Sequence, residues 1–242
     1  MAKPSLRTRP VSILDSGMVW STWSSLRRIV LPVLALAATL AFLPAAPKAA
    51  EKWVERTDCK LADDRFADGD SFALKWKDEN GKEVERTYRL YGVDCPESDA
   101  ADKVLEKRIQ EQMDVFGTDR GPVLKFGKEA ARFTERALKR GKVRIMTRGK
   151  LGQEVPKHPG RPQRRYAMVE VMDESGKPRW LHELLLENGL ARAYGEEVAW
   201  PPKEEERHGE KAAAQDFRKT LDNLERLARS RKAGIWGAKT GA

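Results

Sequence analysis

Hydrophobic and polar residues alternate through Ser71–Lys77, with Phe72, Leu74 and Trp76 set against Ser71, Ala73, Lys75 and Lys77. A period of two belongs to a strand with one buried face. Asp78-Glu79-Asn80-Gly81 then supplies a Gly-containing hairpin turn. Residues 83–93 read as a second strand, with Val84, Leu90 and Val93 apolar and Gly92 allowing a bulge or close approach. Val143, Ile145 and Thr147 mark a third strand, and residues 166–172 a fourth, followed by a Ser175-Gly176 turn. Elsewhere the period is helical. Phe126, Ala130, Phe133 and Ala137 recur on one face, and Gly141 is a plausible stop. Leu181, Leu184 and Leu185 mark a short helix ended by Gly189, with Leu190 placed to pack back over it. Pro201-Pro202 breaks the chain, and Phe217, Leu221, Leu224 and Ala228 trace a longer amphipathic helix ending at Gly234.

Three stretches lack a clear period. Residues 53–65 are mixed and polar and receive no element. Residues 98–121 are charged, with few large apolar residues, and read as an insertion carrying a short helix around Lys103–Phe116. Residues 149–163 form a Gly/Pro/basic loop. No internal repeat is evident. Strands first and helices interleaved later predict an α+β chain with a mostly β core, a small antiparallel barrel buttressed by helices.

The chain has 242 residues, enough for one domain plus extensions or two small ones. Its formal charge of +9 looks like a nucleic-acid signal. Residues 1–50, however, hold six basic residues (Lys3, Arg7, Arg9, Arg27, Arg28 and Lys48) against Asp15 alone. The remainder carries 40 basic and 36 acidic residues, a net +4, so charge gives only weak support for a polyanion partner.

Those first 50 residues run from a basic flank ending at Arg27-Arg28, through an apolar run over residues 29–43, to small residues over 44–50. This is the layout of a bacterial secretory signal, with Met18 an alternative start to Met1. The cleavage region is poor, and residues 29–46 approach spanning length, so an uncleaved membrane anchor is the alternative. Residues 51–242 are then an exported domain, periplasmic or secreted. Cys59 and Cys95 are the only cysteines. An export compartment permits a bridge between them, and free thiols are the alternative.

Candidate chemistry concentrates between Asp68 and Glu97, where D-G-D-S-F is followed by Y-R-L-Y-G-V-D-C-P-E. Asp70, Asp94 and Glu97 stand at the ends of apolar runs, where carboxylates can converge on one hard cation. Arg89 lies inside the second run, where an unpaired charge would be costly. Acids around a half-buried guanidinium point to metal-assisted chemistry on an anionic substrate. A helix-loop-helix calcium site counted from Asp68 fails, because Ala73 stands where that loop needs glycine. His158, His182 and His208 are scattered and show no zinc spacing. Neither a Walker loop nor a serine nucleophile elbow is present. For Arg89 a strand-edge ion pair to Glu85 or Glu97 is the structural alternative. For Arg164 it is a solvated basic cluster with Arg161 and Arg165.

Taken in order, D-G-D-S-F, Y-R-L-Y-G-V-D-C-P-E, F-G-K-E-A-A-R-F-T, R-R-Y-A-M-V, G-L-A-R-A-Y and G-I-W resemble the staphylococcal nuclease (thermonuclease) family over residues 66–236. The resemblance implies a five-stranded OB-fold barrel with about three packing helices, to which the insertion adds a short one. It also implies Ca²⁺-dependent hydrolysis of DNA and RNA phosphodiesters, leaving 3′-phosphates. By position, Asp70 and Asp94 match the metal carboxylates, and the Cys95 backbone carbonyl a further ligand. Glu97 matches the proposed general base, and Arg89 and Arg164 the phosphate-binding arginines. Asp68 matches an acid beside the metal, and Tyr194 a tyrosine lying against the nucleotide. Arg161 and Arg165, with basic residues over 139–150, would track the substrate backbone.

The family usually has Thr where Cys95 stands, and Arg161-Pro162-Gln163 replaces its Lys-Tyr-Gly run. Single strands are the expected substrate, a monomer the expected state, and no protein partner is expected. Membrane contact is expected only through an uncleaved N-terminal segment. Two other functions fit the same residues: a non-catalytic OB module that binds nucleic acid, and a calcium-stabilised envelope binding protein.

Overall fold

The computed structural model describes residues 52–63, 68–100, 103–149, 152–157 and 162–238, giving the backbone alone at residues 103 and 104. Contacts divide the chain into two units, Met1–Ala50 and Glu51–Ala242, and the description below is of the second. The signal or anchor assigned to residues 1–50 therefore lies outside the described residues.

The alternating runs form strands as their periods predict. β2 (Ser71–Lys77) and β3 (Glu83–Leu90) make an antiparallel hairpin with Phe72 opposite Tyr88 and Ser71 opposite Arg89. β5 (Val143–Arg148) and β6 (Arg164–Met172) pair antiparallel, and β7 (Pro178–Trp180) adds to the outer edge of β6. A further strand, β1 (Trp53–Leu61), pairs with both β2 and β5. Its alternation is interrupted by a register shift between Arg56 and Cys59, with Asp58 at φ +59°. That bulge reverses which residues face inward and hides the period of two from the sequence. β3 then pairs in parallel with β6, placing Thr87 beside Arg164 and Leu90 beside Ala167. This closes β1, β2, β3, β6 and β5 into a five-stranded barrel, an α+β OB-fold.

Residues 83–93, read as one strand, are divided. β3 ends at Leu90, Tyr91-Gly92 turn, and β4 (Val93–Asp94) pairs instead with β8 (Arg192–Ala193). Gly92 has φ +72°, and a Cβ there would stand 2.3 Å from Leu221 Cδ1. Five α-helices surround the barrel among the described residues: α1 (Lys103–Phe116), α2 (Arg120–Lys139), α3 (Leu181–Glu187), α4 (Pro202–His208) and α5 (Glu210–Ser230). α4 was not expected, because the Pro201-Pro202 pair reads as a break. Proline lacks the N–H that a first helical turn leaves unused anyway, so Pro202 can open a helix.

The principal core gathers Phe72, Leu74, Tyr88, Ile145, Met168, Leu185 and Leu221, all 1% exposed or less. A second, smaller cluster of Ile109, Phe116, Val123 and Ile235 joins α1 to α2 and to the C-terminal turn at Gly234–Gly237. Trp236 lies against Phe116, with ring centroids 4.8 Å apart. The insertion helix is thus bound in by apolar contacts of its own.

His182 is fully buried between Trp180 and Phe217, and burial lowers its pKa from 6.5 to about 3. The unfolded chain binds a proton below pH 6.5 that the folded chain refuses, so its contribution is present above 6.5 and lost as pH falls toward 3. By pH 4 this group alone lowers folding stability by about 3 kcal/mol. Urea unfolding at pH 7 and pH 4 should show that much less acid sensitivity in His182→Leu than in the wild type.

Candidate active site

The barrel brings remote segments to a single cleft of about 220 Å³. Its lining includes Asp70, Arg89, Glu97, Arg108, Arg164 and Tyr194. Asp70 closes a tight turn ahead of β2, where the Asp68 carboxylate accepts the N–H groups of Asp70 and Ser71 at 3.1 and 3.0 Å. Asp68 also lines the cleft. Arg89 stands opposite Ser71 across the hairpin, and the parallel β3–β6 pairing carries Arg164 alongside. Arg164 Nη1 donates to Ser71 Oγ at 3.0 Å, and Ser71 Oγ donates to Asp70 Oδ1 at 2.9 Å.

Arg89 bridges the two aspartates. Its Nη1 donates to Asp70 Oδ1 at 2.7 Å and its Nη2 to Asp94 Oδ1 at 2.9 Å. These, rather than Glu85 or Glu97, are its ion-pair partners. Burial opposes the Arg89 charge, but Asp70, Asp94 and Asp68 outweigh that and hold its pKa above the ordinary guanidinium range.

Asp94 is fully buried and receives donors on both oxygens. Arg89 and Arg108 (2.7 Å) share Oδ1, while Arg192 Nε (3.0 Å) and Gln112 Nε2 (3.2 Å) reach Oδ2. Burial favours its neutral acid, yet Arg89, Arg108 and Arg192 together hold its carboxyl well below the usual range. Ion pairing of this kind is geometrically bound, because removing one member leaves the other charges buried and uncompensated.

Glu97 is also buried, and its Oε1 accepts Arg108 Nε at 2.6 Å. Gln112 completes the arrangement: its Oε1 accepts the Glu97 N–H at 2.8 Å and its Nε2 donates to the Cys95 carbonyl at 2.9 Å. Arg192 continues to Glu111 at 2.7 Å and lies 4.1 Å from the Tyr194 ring centroid. Tyr194 itself is 45% exposed at the cleft.

Cys95 contributes its backbone to the site and its side chain to packing. Its N–H donates to Asp70 Oδ2 at 2.9 Å. A Cβ added to Gly69 would stand 2.6 Å from both Cys95 Sγ and Ala130 Cβ, so the thiol fills the space between the Asp68–Asp70 turn and α2. Burial, then Asp70, Asp68 and Asp94, push its pKa up. Burial and a raised pKa both disfavour the thiolate, the form in which a cysteine acts as a nucleophile. Cys59 and Cys95 are both buried and unbridged.

The remaining expected residues are placed elsewhere. Arg165 Nη1 donates to the Gly152 carbonyl at 2.8 Å and its Nη2 to Glu154 at 2.7 Å, and it does not line the cleft. Successive strand residues point to opposite faces, so Arg164 and Arg165 part company. Arg161 lies outside the described residues.

Oxygen donors of this kind suit a hard cation, and Asp70, Asp94 and the Cys95 carbonyl fit Ca²⁺ by type. In the present arrangement these oxygens accept hydrogen bonds from Arg89, Arg108, Arg192, Gln112, Ser71 and Cys95. Among the described residues, no three His, Cys, Asp or Glu side chains stand close enough to hold a metal between them.

Sequence reading did not single out Arg108, Gln112 or Arg192. Arg108 and Gln112 are four apart on α1, hence on one helix face, but that spacing in a charged segment reads equally as a solvated face. Arg192 sits within the G-L-A-R-A-Y block, where no local pattern assigns it a role.

A family model described as staphylococcal nuclease homologue matches residues 87–238. The match takes in Arg89, Asp94, Glu97, Arg164 and Tyr194 and begins after Asp68 and Asp70. No curated protein matches the chain.

Asp94→Asn would leave three guanidiniums facing a neutral amide. It should lower folding stability by about 3–5 kcal/mol, measured by urea unfolding at pH 7. A loss under 1 kcal/mol would mean the arginines find other partners.

Proposed function

Since the chain belongs to the staphylococcal nuclease homologue family, whose domain is of a nuclease-like or nucleic-acid-binding kind, we propose that it is a Ca²⁺-dependent, sugar-nonspecific nuclease. Its reaction is hydrolysis of DNA and RNA phosphodiesters to 3′-phosphate products. The observation that carries this reading is the convergence of Asp70, Arg89, Glu97 and Arg164 on one cleft from four separate chain segments.

Phosphodiester hydrolysis requires a water made nucleophilic and a phosphorane whose added charge is stabilised. Asp70, Asp94 and the Cys95 carbonyl are the residues that would hold Ca²⁺, which supplies Lewis-acid polarisation of a phosphoryl oxygen when bound. Glu97 is within the cleft and, through one water, can accept a proton. Arg89 and Arg164 present guanidinium forks that can grip phosphoryl oxygens in pairs, a geometry lysine does not reproduce. Arg89 is held on Asp70 and Asp94, and Arg164 on Ser71, so both are oriented before substrate arrives. Pre-set donors of this kind lose little in reorganisation as charge develops. Tyr194 is exposed at the cleft rim and offers a face for base stacking. A small cleft favours an unstacked single strand over duplex. The chain is proposed to act as a monomer outside the cytoplasm, delivered or anchored by residues 1–50.

The hold of Arg108 on Glu97 favours one second reading, in which the cleft binds nucleic acid without cutting it. Incubation with single-stranded DNA in Ca²⁺, and then with chelator, separates the two. Chelator-sensitive cleavage is expected; no cleavage at any Ca²⁺ concentration, with binding retained, would establish the module instead. Glu97→Gln and Arg89→Lys should each lower turnover at least roughly a hundredfold. Survival of activity in both would remove the roles given to them here.

A further inference from the structure

We propose that Arg108 of the insertion helix stands in for the cation, so that metal loading is a competition its side chain opposes. The proposal rests on the calcium reading of the cleft and concerns how that same site is controlled.

Arg108 bonds Glu97 through Nε at 2.6 Å and Asp94 through Nη2 at 2.7 Å, so one guanidinium spans the two carboxylates. Gln112 occupies the Cys95 carbonyl and the second oxygen of Asp94. Between them, two side chains of α1 take up acceptors on Asp94, Cys95 and Glu97. A cation settling beside Asp94 must either displace Arg108 or meet the combined repulsion of Arg89, Arg108 and Arg192.

Displacement has a defined route. α1 is held by Ile109 and Phe116 in the second apolar cluster, so detaching the whole helix would expose that core. Arg108 differs from its neighbours in the site. Its side chain is 31% exposed, against 12% for Arg89 and 6% for Arg192. It already lines the cleft, where an incoming phosphate would offer its guanidinium an equivalent partner. The side chain can therefore swing while the helix stays in place. Gln112 is fully buried and stays behind as a ligand-positioning amide.

Calorimetry of Ca²⁺ binding to the full chain tests this without reference to catalysis. Arg108→Met keeps the stem and removes the charge, and should bind Ca²⁺ at least about tenfold more tightly than the wild type. Adding Asp70→Asn to Arg108→Met should abolish that gain. Equal affinity in the wild type and Arg108→Met would overturn the stand-in role while leaving the calcium reading intact. Absence of saturable Ca²⁺ binding in every variant would overturn both. The wild-type chain supplies an independent measurement that needs no variant to fold. Its Arg108 Nε–H resonance should lose protection from exchange as Ca²⁺ is added. A resonance unchanged at saturating Ca²⁺ would refute the competition.

Discussion

The buried carboxylate of Asp94 is the point on which the rest of the cleft depends. Arg89 reaches it from β3, Arg108 from α1 and Arg192 from β8. Each of these charges would be costly at its depth without the others. Together they tie the barrel wall, the insertion helix and the segment after α3 to a single residue. Arg89 passes the constraint to Asp70, Arg108 passes it to Glu97, and Arg192 passes it to Glu111 and Tyr194. The groups proposed to act on a phosphodiester are thus positioned by the same network that neutralises Asp94.

Packing fixes the other side of this network. Gly127 of α2 lies against the Pro96–Glu97 peptide, where an added Cβ would stand 2.2 Å from the Glu97 carbonyl oxygen. At Gly69 an added Cβ would stand 2.6 Å from both Cys95 Sγ and Ala130 Cβ. The loop bearing Asp94, Cys95 and Glu97 is therefore pressed between α2 on one side and the arginines on the other. Cys95 sits at the centre of this sandwich, 3% exposed. The side chain is used for packing, and the site uses only its backbone N–H and carbonyl.

Much of the fold was legible because it follows from periodicity. α1 spans Lys103–Phe116 where a short insertion helix was expected, and Gly189 ends α3 with φ +64°. The hairpin of β2 and β3 follows the alternation of Phe72, Leu74 and Trp76. β1 escaped notice because its bulge at Asp58 reverses the alternation partway along. α4 escaped because two prolines look like an ending when the second can equally be a beginning. In the site, the residues that were legible lie in contiguous motifs. Arg108, Gln112 and Arg192 lie 14, 18 and 98 positions from Asp94, and no local pattern marks side chains whose partner is that far away.

The amino-acid sequence by itself determined the strand and helix periods, the placement of carboxylates at strand ends, and the family. These are properties of neighbouring residues and their order. Tertiary structure alone decided that β3 closes onto β6, that Arg164 joins Arg89 while Arg165 turns away, and that α1 delivers a guanidinium between Asp94 and Glu97. Each of those outcomes joins residues from different elements of the fold. Barrel closure and burial set such pairings, because a buried charge must find a partner wherever the fold brings one.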